Sequence, residues 1–272
     1  DFHQVNNRDP HIYKTTDYGK SWTLITSDIP NLELSYAHCV REDPVRKGLL
    51  YLGTENALYV SFNDGKNWIP LQNNLPHAPV HWLTIQEHFN DLVIGTYGRG
   101  FWILDDITPL QQLTPEVIKS DIHLFAPRPA YRFLSKAPHV VDPSDQCRGE
   151  NPSYGASINY YLKAVAKDKD EVKISILDEK GQKIRSLKGP KKQGINRIWW
   201  DLRHEQSTEI KLRTSPVGHP HVVVGPDGWR PYLNRGNRQG PRVIPGTYMV
   251  KLAFGEKEFT QKLILKKDPN SA

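Results

Sequence analysis

Carboxylate side chains are the first candidates for chemistry in this sequence. Hydrolysis of a glycosidic bond uses two carboxyl groups that flank the bond, one as an acid and the other as a base or nucleophile. The candidates whose position in the chain suits that role are Asp91, Asp105, Asp106 and Glu55. No two of them form a recognisable pair, so we assign no catalytic residue in this chain.

A second candidate site lies in a long polar segment, residues 204–242. Aromatic rings that stack and guanidinium groups that hold anions are combined there, in Trp229, Arg230, Tyr232 and Arg235. This combination suits a polyanion or a glycan. A loop that packs across another part of the protein or a partner is the other interpretation of the same residues.

The same segment contains the sequence His219-Pro220-His221. Two neutral imidazoles could hold a metal ion together with His204 or Asp227, but the spacing of these residues matches no known metal site. We therefore predict no metal site and no cofactor.

Two segments of the first half repeat one pattern of residue types: hydroxyl, any, Asp or Asn, any, Gly, Lys, polar, Trp. They are Thr15–Trp22 and Ser61–Trp68, called here the first and second turn motifs, and they are offset by 46 residues. The residues that define the pattern are Thr15, Asp17, Gly19, Trp22, Ser61, Asn63, Gly65 and Trp68.

The pattern has a structural explanation. The Asp or Asn oxygen accepts from backbone N–H groups two residues on, which closes a hairpin turn, and Gly adopts the positive φ that the turn needs. The Trp packs against the adjacent strand. We therefore expect Trp22→Ala or Trp68→Ala to lower stability by about 3–5 kcal/mol.

A second repeat has an offset of 42 residues, because Leu52-Gly53-Thr54 recurs as Ile94-Gly95-Thr96. Repeats of about 40–45 residues that are rich in short strands indicate the four-stranded blades of a β-propeller.

The two turn motifs resemble the Asp boxes of the bacterial neuraminidase repeat, which occurs in sialidases, xyloglucanase-type glycosidases and the sortilin propeller. Residues 93–106 resemble the final blades of secreted, sortilin-like bacterial proteins, many of which are labelled glycosyl hydrolases. The resemblance implies that residues 1–113 hold about two terminal blades. Closed propellers use about 4–8 blades, so we expect the remaining blades outside this chain, in an upstream segment or another polypeptide.

Arg99 lies between Gly98 and Gly100 in the last of these blades. The glycines permit a close approach of the backbone, so the guanidinium could face the central channel and bind an anionic ligand. A salt bridge that closes the propeller is the other interpretation.

The second half has a different pattern. Residues 114–155 are rich in proline, which predicts an irregular connector rather than a helix. Residues 156–268 alternate as short strands and predict a β-sandwich with a long inserted loop at 204–242. The elements Gly194–Arg203 and Pro245–Tyr248 resemble the Ig-like domain of the flagellar hook-cap type. The sequence therefore predicts an all-β protein: terminal Asp-box propeller blades followed by an Ig-like sandwich.

Charge and composition limit the function. The net charge is +6, and it is divided into −5 for residues 1–113 and +11 for residues 114–272. No apolar run approaches the about 18 residues of a membrane span, and the spread of the lysines disfavours nucleic-acid binding. The preferred function is a secreted or periplasmic binding or scaffold module that recognises polypeptide or glycan. The alternative is part of an Asp-box glycoside hydrolase whose catalytic carboxylates lie mainly in the missing blades.

Overall fold

A computed structural model describes residues 2–133, 149–166, 171–206, 208, 211–219, 221–231 and 239–270. The chain divides into two compact units, Asp1–Glu116 and Val117–Ala272. Nearly all of the regular structure is β-strand, so the predicted all-β fold is confirmed.

Unit 1 contains three antiparallel sheets, of two, four and three strands. A short 3-10 helix, His3–Val5, precedes them, and a helix α1, Thr108–Gln112, follows them. The strands are β1 Tyr13–Lys14, β2 Thr23–Leu24, β3 Ala37–Glu42, β4 Leu50–Thr54, β5 Leu58–Ser61, β6 Ile69–Pro70, β7 Val80–Gln86, β8 Asp91–Thr96 and β9 Phe101–Leu104. The sheets are β1-β2, β3-β4-β5-β6 and β7-β8-β9.

The strand registers follow the repeats of the sequence. Tyr13 pairs with Leu24, and the residues 46 positions later, Tyr59 and Pro70, also pair. The pairing of β3 with β4 also matches the pairing of β7 with β8. In both, the register shifts at the second residue of the first strand. The three sheets are therefore built on one plan.

Each turn motif folds around its hydroxyl and its Asp or Asn. In the first turn motif the Gly19 N–H donates to Thr15 Oγ1 at 2.8 Å, and the Ser21 N–H donates to Asp17 Oδ1 at 2.9 Å. In the second, Gly65 and Asn67 donate to Ser61 and Asn63 in the same way. In each motif the Asp or Asn oxygen accepts from the N–H four residues later, whereas the sequence predicted the N–H two residues later. The intervening residues complete the turn.

The two tryptophans differ, which corrects one prediction. Trp68 is 4% exposed and packs in a core with Ile12, Ile29 and Leu52. Trp22 is 59% exposed, and its indole N–H donates to Gly19 O within its own turn. The expectation that Trp22 is anchored against a strand is wrong, since more than half of this side chain is exposed.

Unit 2 packs two sheets around one core. One sheet has the order β10-β12-β15, and the other has the order β11-β19-β18-β13-β14. Buried residues of both sheets share the core, among them Tyr160 and Trp200 of the first and Ile174 and Val250 of the second. The elements are α2 Pro115–Lys119, which crosses the boundary between the units, β10 Ile122–Leu124, β11 Ala130–Arg132, β12 Ala156–Leu162, β13 Val172–Leu177, β14 Lys183–Lys188, β15 Gly194–Trp200, β16 Lys211–Leu212, β17 Arg230–Pro231, β18 Gly246–Phe254 and β19 Lys257–Lys267.

Two segments for which the sequence predicts irregular structure contain helix or strand. Within 114–155, α2 forms, and β10 and β11 join the two sheets through pairs such as Ile122↔Leu162 and Ala130↔Leu265. Within 204–242, β16 pairs with β17. These pairings connect residues far apart in sequence, so the local proline content did not reveal them.

Candidate functional site

The candidate site lies where the first strands of two neighbouring sheets of unit 1 begin. His38 is the second residue of β3, and His81 is the second residue of β7. Glu55 follows the end of β4, and Tyr97 follows the end of β8. Antiparallel pairing places the start of β3 beside the end of β4 and the start of β7 beside the end of β8. These four residues and Tyr36 are called the rim.

The turn after β4 fixes Glu55. Thr54 is buried, and its hydroxyl accepts from the Ala57 N–H at 3.1 Å. The Glu55 N–H donates to Tyr36 O at 3.2 Å. The backbone of the turn that carries Glu55 is therefore hydrogen-bonded. This bonding fixes the point from which the Glu55 side chain extends.

Two equivalent bulges present the histidines. The β3–β4 register shifts between Ala37 and Cys39, so His38 is the extra residue. The β7–β8 register shifts between Val80 and Trp82, so His81 is the extra residue there. A bulge leaves one residue out of the ladder and re-aims its side chain, and such bulges occur often beside functional sites.

The rim brings imidazole and carboxylate together. His38 Nε2 lies 2.7 Å from Glu55 Oε2, and the two side chains are 13% and 23% exposed. The His81 ring lies 4.2 Å from the His38 ring, measured between centroids. Ligand atoms of His38, Glu55 and His81 all lie within 4.8 Å of one another.

Tyr36 lies beside the carboxylate. Burial raises the pKa of its hydroxyl, and the charge of Glu55 raises that pKa further. The hydroxyl is therefore protonated at neutral pH. A carboxylate paired with an imidazole is placed well for binding a cation or a polar ligand group.

Aromatic rings continue the rim on both sides of the histidines. His3 stacks on Tyr36 at 4.9 Å, and Tyr97 stacks on His81 at 5.7 Å, both between centroids. Tyr97 is exposed, so its ring offers a surface to a sugar or to an aromatic side chain of a ligand.

The other candidate carboxylates lie at the opposite end of the third sheet. Asp91 begins β8, whereas Tyr97 follows its end, and a six-residue strand is about 17 Å long. Asp91 Oδ1 accepts from the Asp106 N–H at 2.8 Å. Asp106 is buried, and it accepts from the Thr108 hydroxyl at 2.6 Å, where α1 begins. Asp105 follows β9 at the same end. These three residues belong to the start of α1, not to the rim.

Arg99 lies in the turn between β8 and β9, two residues from Tyr97, and its side chain is exposed. Gly98 and Gly100 have φ values of 80° and 71°, which favour glycine. The Thr96 hydroxyl donates to Gly100 O at 2.6 Å and ties the turn to the end of β8. The structure therefore places Arg99 on the same turn as one member of the rim.

The basic and aromatic residues of segment 204–242 are only partly described. Arg213 lies over the Trp229 ring, with its guanidinium carbon 4.2 Å from the ring centroid. The Arg230 side chain donates to Thr214 O. Tyr232 and Arg235 lie outside the described residues. The rings of His219 and His221 meet edge to face at 5.5 Å.

Sequence reasoning considered Glu55 alone and missed His38, His81 and Tyr36. One signal was available, because His38 and His81 are 43 residues apart and the sequence repeats at offsets of 42–46. Residues at equivalent positions of neighbouring sheets lie side by side, so a repeated histidine was a reason to expect a pair.

Comparison with protein-family models gives no match, and no curated protein matches the sequence. Among solved structures, the chain is similar to the extracellular domain of a hybrid two-component system from B. thetaiotaomicron, at 12% identity and a TM-score of 0.26. The similarity covers 94% of this chain, and the chain spans 28% of that structure.

Within the described residues, no helix combines the length and the apolar character that crossing a membrane requires.

Proposed function

We propose that this protein is a secreted or periplasmic binding and scaffold module. In this proposal the sheets of unit 1 are terminal Asp-box blades of a β-propeller, and unit 2 is an Ig-like domain of the hook-cap type. Further blades outside this chain complete the propeller, which recognises polypeptide or glycan at the rim.

One observation carries the proposal: equivalent faces of two sheets differ in what covers them. Gly53 in β4 faces Val80 of the next sheet so closely that a Cβ would overlap the Val80 carbonyl oxygen. Gly95 is the equivalent residue in β8, and the three atoms nearest to a Cβ there belong to Trp82 and Phe101 of its own sheet, the closest at 3.4 Å.

The face around Gly95 is exposed and mainly apolar, although the guanidinium of Arg41 lies over the Trp82 ring, 4.4 Å from its centroid. Trp82 and Phe101 flank Gly95 on the neighbouring strands, and they are 61% and 85% exposed. Ile103 continues this face along β9 and is also exposed. A face of this composition suits contact with another protein surface. Because the equivalent face of the preceding sheet is covered by the next sheet, the occupant that fits is another blade of the same repeat.

The rim supports binding rather than hydrolysis. The Glu55 carboxylate is paired with His38, whereas Asp91 and Asp106 interact with each other and with α1 at the far end of the third sheet. Paired glycosidase carboxyl groups are about 5–9.5 Å apart, and Asp91 lies about 17 Å along β8 from the end where Tyr97 joins the rim. The stacked rings beside Glu55 instead provide surfaces for a sugar or a peptide.

A photo-crosslinking experiment tests the blade partner. A photo-reactive phenylalanine analogue replaces Phe101 in the full chain, and the control carries it in place of the exposed Tyr18. We expect position 101 to crosslink to a polypeptide segment that carries the turn-motif pattern, and position 18 not to do so. Crosslinks from position 101 only to segments without that pattern would contradict the proposal.

An array experiment tests the recognition. The full chain is applied to immobilised oligosaccharides and peptides, and bound oligosaccharides are then analysed for cleavage. We expect retention of a subset without cleavage, and weaker retention for Tyr97→Ala than for Tyr18→Ala. Cleavage of the retained oligosaccharides would favour the glycoside hydrolase instead.

A further inference from the structure

We propose that His38, Glu55 and His81 form a binding site for a divalent transition-metal ion of the zinc class. The site lies on the rim, and it needs only residues of unit 1. It differs from the sequence-based prediction of no metal site, which considered only the histidines of segment 204–242. It does not depend on whether a polypeptide or a glycan is the ligand of the protein.

The distances are close to those of a metal site. Two imidazoles and one carboxylate offer ligand atoms within 4.8 Å of one another. Metal–ligand distances of about 2.0–2.2 Å in a tetrahedral zinc site place the ligand atoms about 3.3 Å apart. The 2.7 Å separation between His38 Nε2 and Glu55 Oε2 would widen slightly, and the exposed His81 would move inward. Both movements are within the reach of side-chain rotation.

The fold positions all three ligands. His38 and His81 are the extra residues of two equivalent bulges, and Glu55 stands on a turn closed by the buried Thr54. Tyr36 packs edge to face against the His38 ring, with the centroids 5.2 Å apart, and its carbonyl oxygen accepts from the Glu55 N–H. Residues that contact metal ligands commonly orient them, so Tyr36 is a positioning residue for both ligands.

The ligand set selects the ion. Imidazole nitrogen suits zinc, copper and nickel, whereas magnesium and calcium prefer oxygen alone. Two histidines and one glutamate leave a fourth position for water, as in zinc sites with three protein ligands.

If His38 and Glu55 form only a hydrogen-bonded pair and bind no metal, a different result is expected. The pair is complete without His81, whose ring lies 4.2 Å from that of His38. Metal binding requires His81 as the third ligand. Substitution of His81 therefore distinguishes the two interpretations, and because this side chain is exposed, its loss does not open a core.

The test is calorimetric titration of the full chain with Zn²⁺, after removal of bound metal with a chelator. We expect one ion per chain at the rim, no comparable binding of Mg²⁺, and tetrahedral absorption bands with Co²⁺. His81→Ala should weaken Zn²⁺ binding by more than the about 10–100-fold that loss of an outer partner causes.

Two controls complete the test. His88→Ala removes another exposed histidine of unit 1 and should leave Zn²⁺ affinity unchanged. A double variant, His219→Ala with His221→Ala, removes the histidines of segment 204–242 and should retain the rim ion. Equal Zn²⁺ binding by the wild type and His81→Ala, or loss of the ion only in the double variant, would overturn the proposal, as would no binding by the wild type.

Discussion

The two turn motifs share the backbone hydrogen bonds that close the turn, but they have different surroundings. In both, the hydroxyl accepts from the Gly N–H, at 2.8 Å in the first and 2.9 Å in the second. The first turn motif ends in an exposed Trp22 that is bonded only to its own turn. The second ends in a buried Trp68, whose indole N–H donates to Ile25 O at 2.6 Å.

Further contacts hold the second turn motif against the preceding residues. Asp28 accepts from the Asn67 side chain at 2.7 Å and from the Trp68 N–H at 3.3 Å, and Lys14 pairs with Asp64. The comparison teaches that the motif determines the turn, whereas a neighbouring sheet determines whether the turn is part of a core.

The largest expected effect is the difference in the free energy of unfolding between the two tryptophan substitutions. Trp68→Ala should lower the free energy of unfolding of unit 1 by about 3–5 kcal/mol, because it removes a large buried aromatic. Trp22→Ala should lower it by less than about 1 kcal/mol, as for exposed positions. Denaturant-dependent hydrogen exchange of the β4 amides measures both changes.

Trp68→Phe serves as the matched variant if Trp68→Ala does not fold. It keeps most of the apolar area and removes the bond to Ile25 O, so a loss of about 0.5–1.5 kcal/mol is expected. Equal losses for Trp22→Ala and Trp68→Ala would show that the comparison is wrong.

A smaller effect is expected at the glycines of the two turns. Gly19 and Gly65 have φ values of 89° and 81°, so alanine costs about 1–2 kcal/mol of backbone strain at both. A Cβ on Gly65 would lie 2.6 Å from Ile25 Cδ1, whereas a Cβ on Gly19 would lie 3.8 Å from its nearest neighbour.

Gly65→Ala should therefore cost about 1–3 kcal/mol more than Gly19→Ala, the usual range for an overpacked core. Hydrogen exchange of the β5 amides gives the comparison. Ile25→Ala combined with Gly65→Ala should recover part of the excess cost, and a double variant without such recovery would argue against a clash with Ile25.

The local parts of the fold could be predicted from the sequence. The turn motifs are determined by residues within four positions of each other, so their residue types identify them. The strand β13 alternates buried and less buried residues, and this pattern is visible without its partners.

Features that depend on distant partners could not be predicted. β10 and β11 have three residues each, too few to show a period, and they exist because β12 and β19 pair with them. The burial of Trp68 depends on Ile25, 43 residues earlier. The addition of His81 and Tyr97 to the rim likewise requires two sheets to be adjacent, and the only sign of this in the sequence is the histidine repeated after 43 residues.

The smallest expected effect is a difference in acid sensitivity between the turn motifs. Hydrogen bonds from the Ser21 hydroxyl and N–H and from the Thr15 hydroxyl lower the pKa of Asp17 from 3.8 to about 2. Because the folded pKa lies below the unfolded one, Asp17 stabilises the first turn motif above about pH 4. This contribution is lost as the pH falls from about 4 toward 2. Asn63 does not titrate, so the second turn motif lacks this dependence.

Carbon-13 NMR of the Asp17 carboxyl group should show a titration midpoint near 2 in the full chain. In Asp17→Asn, the first turn motif acquires the side chain of the second, so amide exchange at Gly19 and Ser21 should lose its extra acid sensitivity. Exchange at Gly65 and Asn67 should be the same in both proteins. A midpoint near the ordinary 3.8 would mean that the charge of Asp17 does not distinguish the two turns, and their difference would then rest entirely on the packing around Trp68.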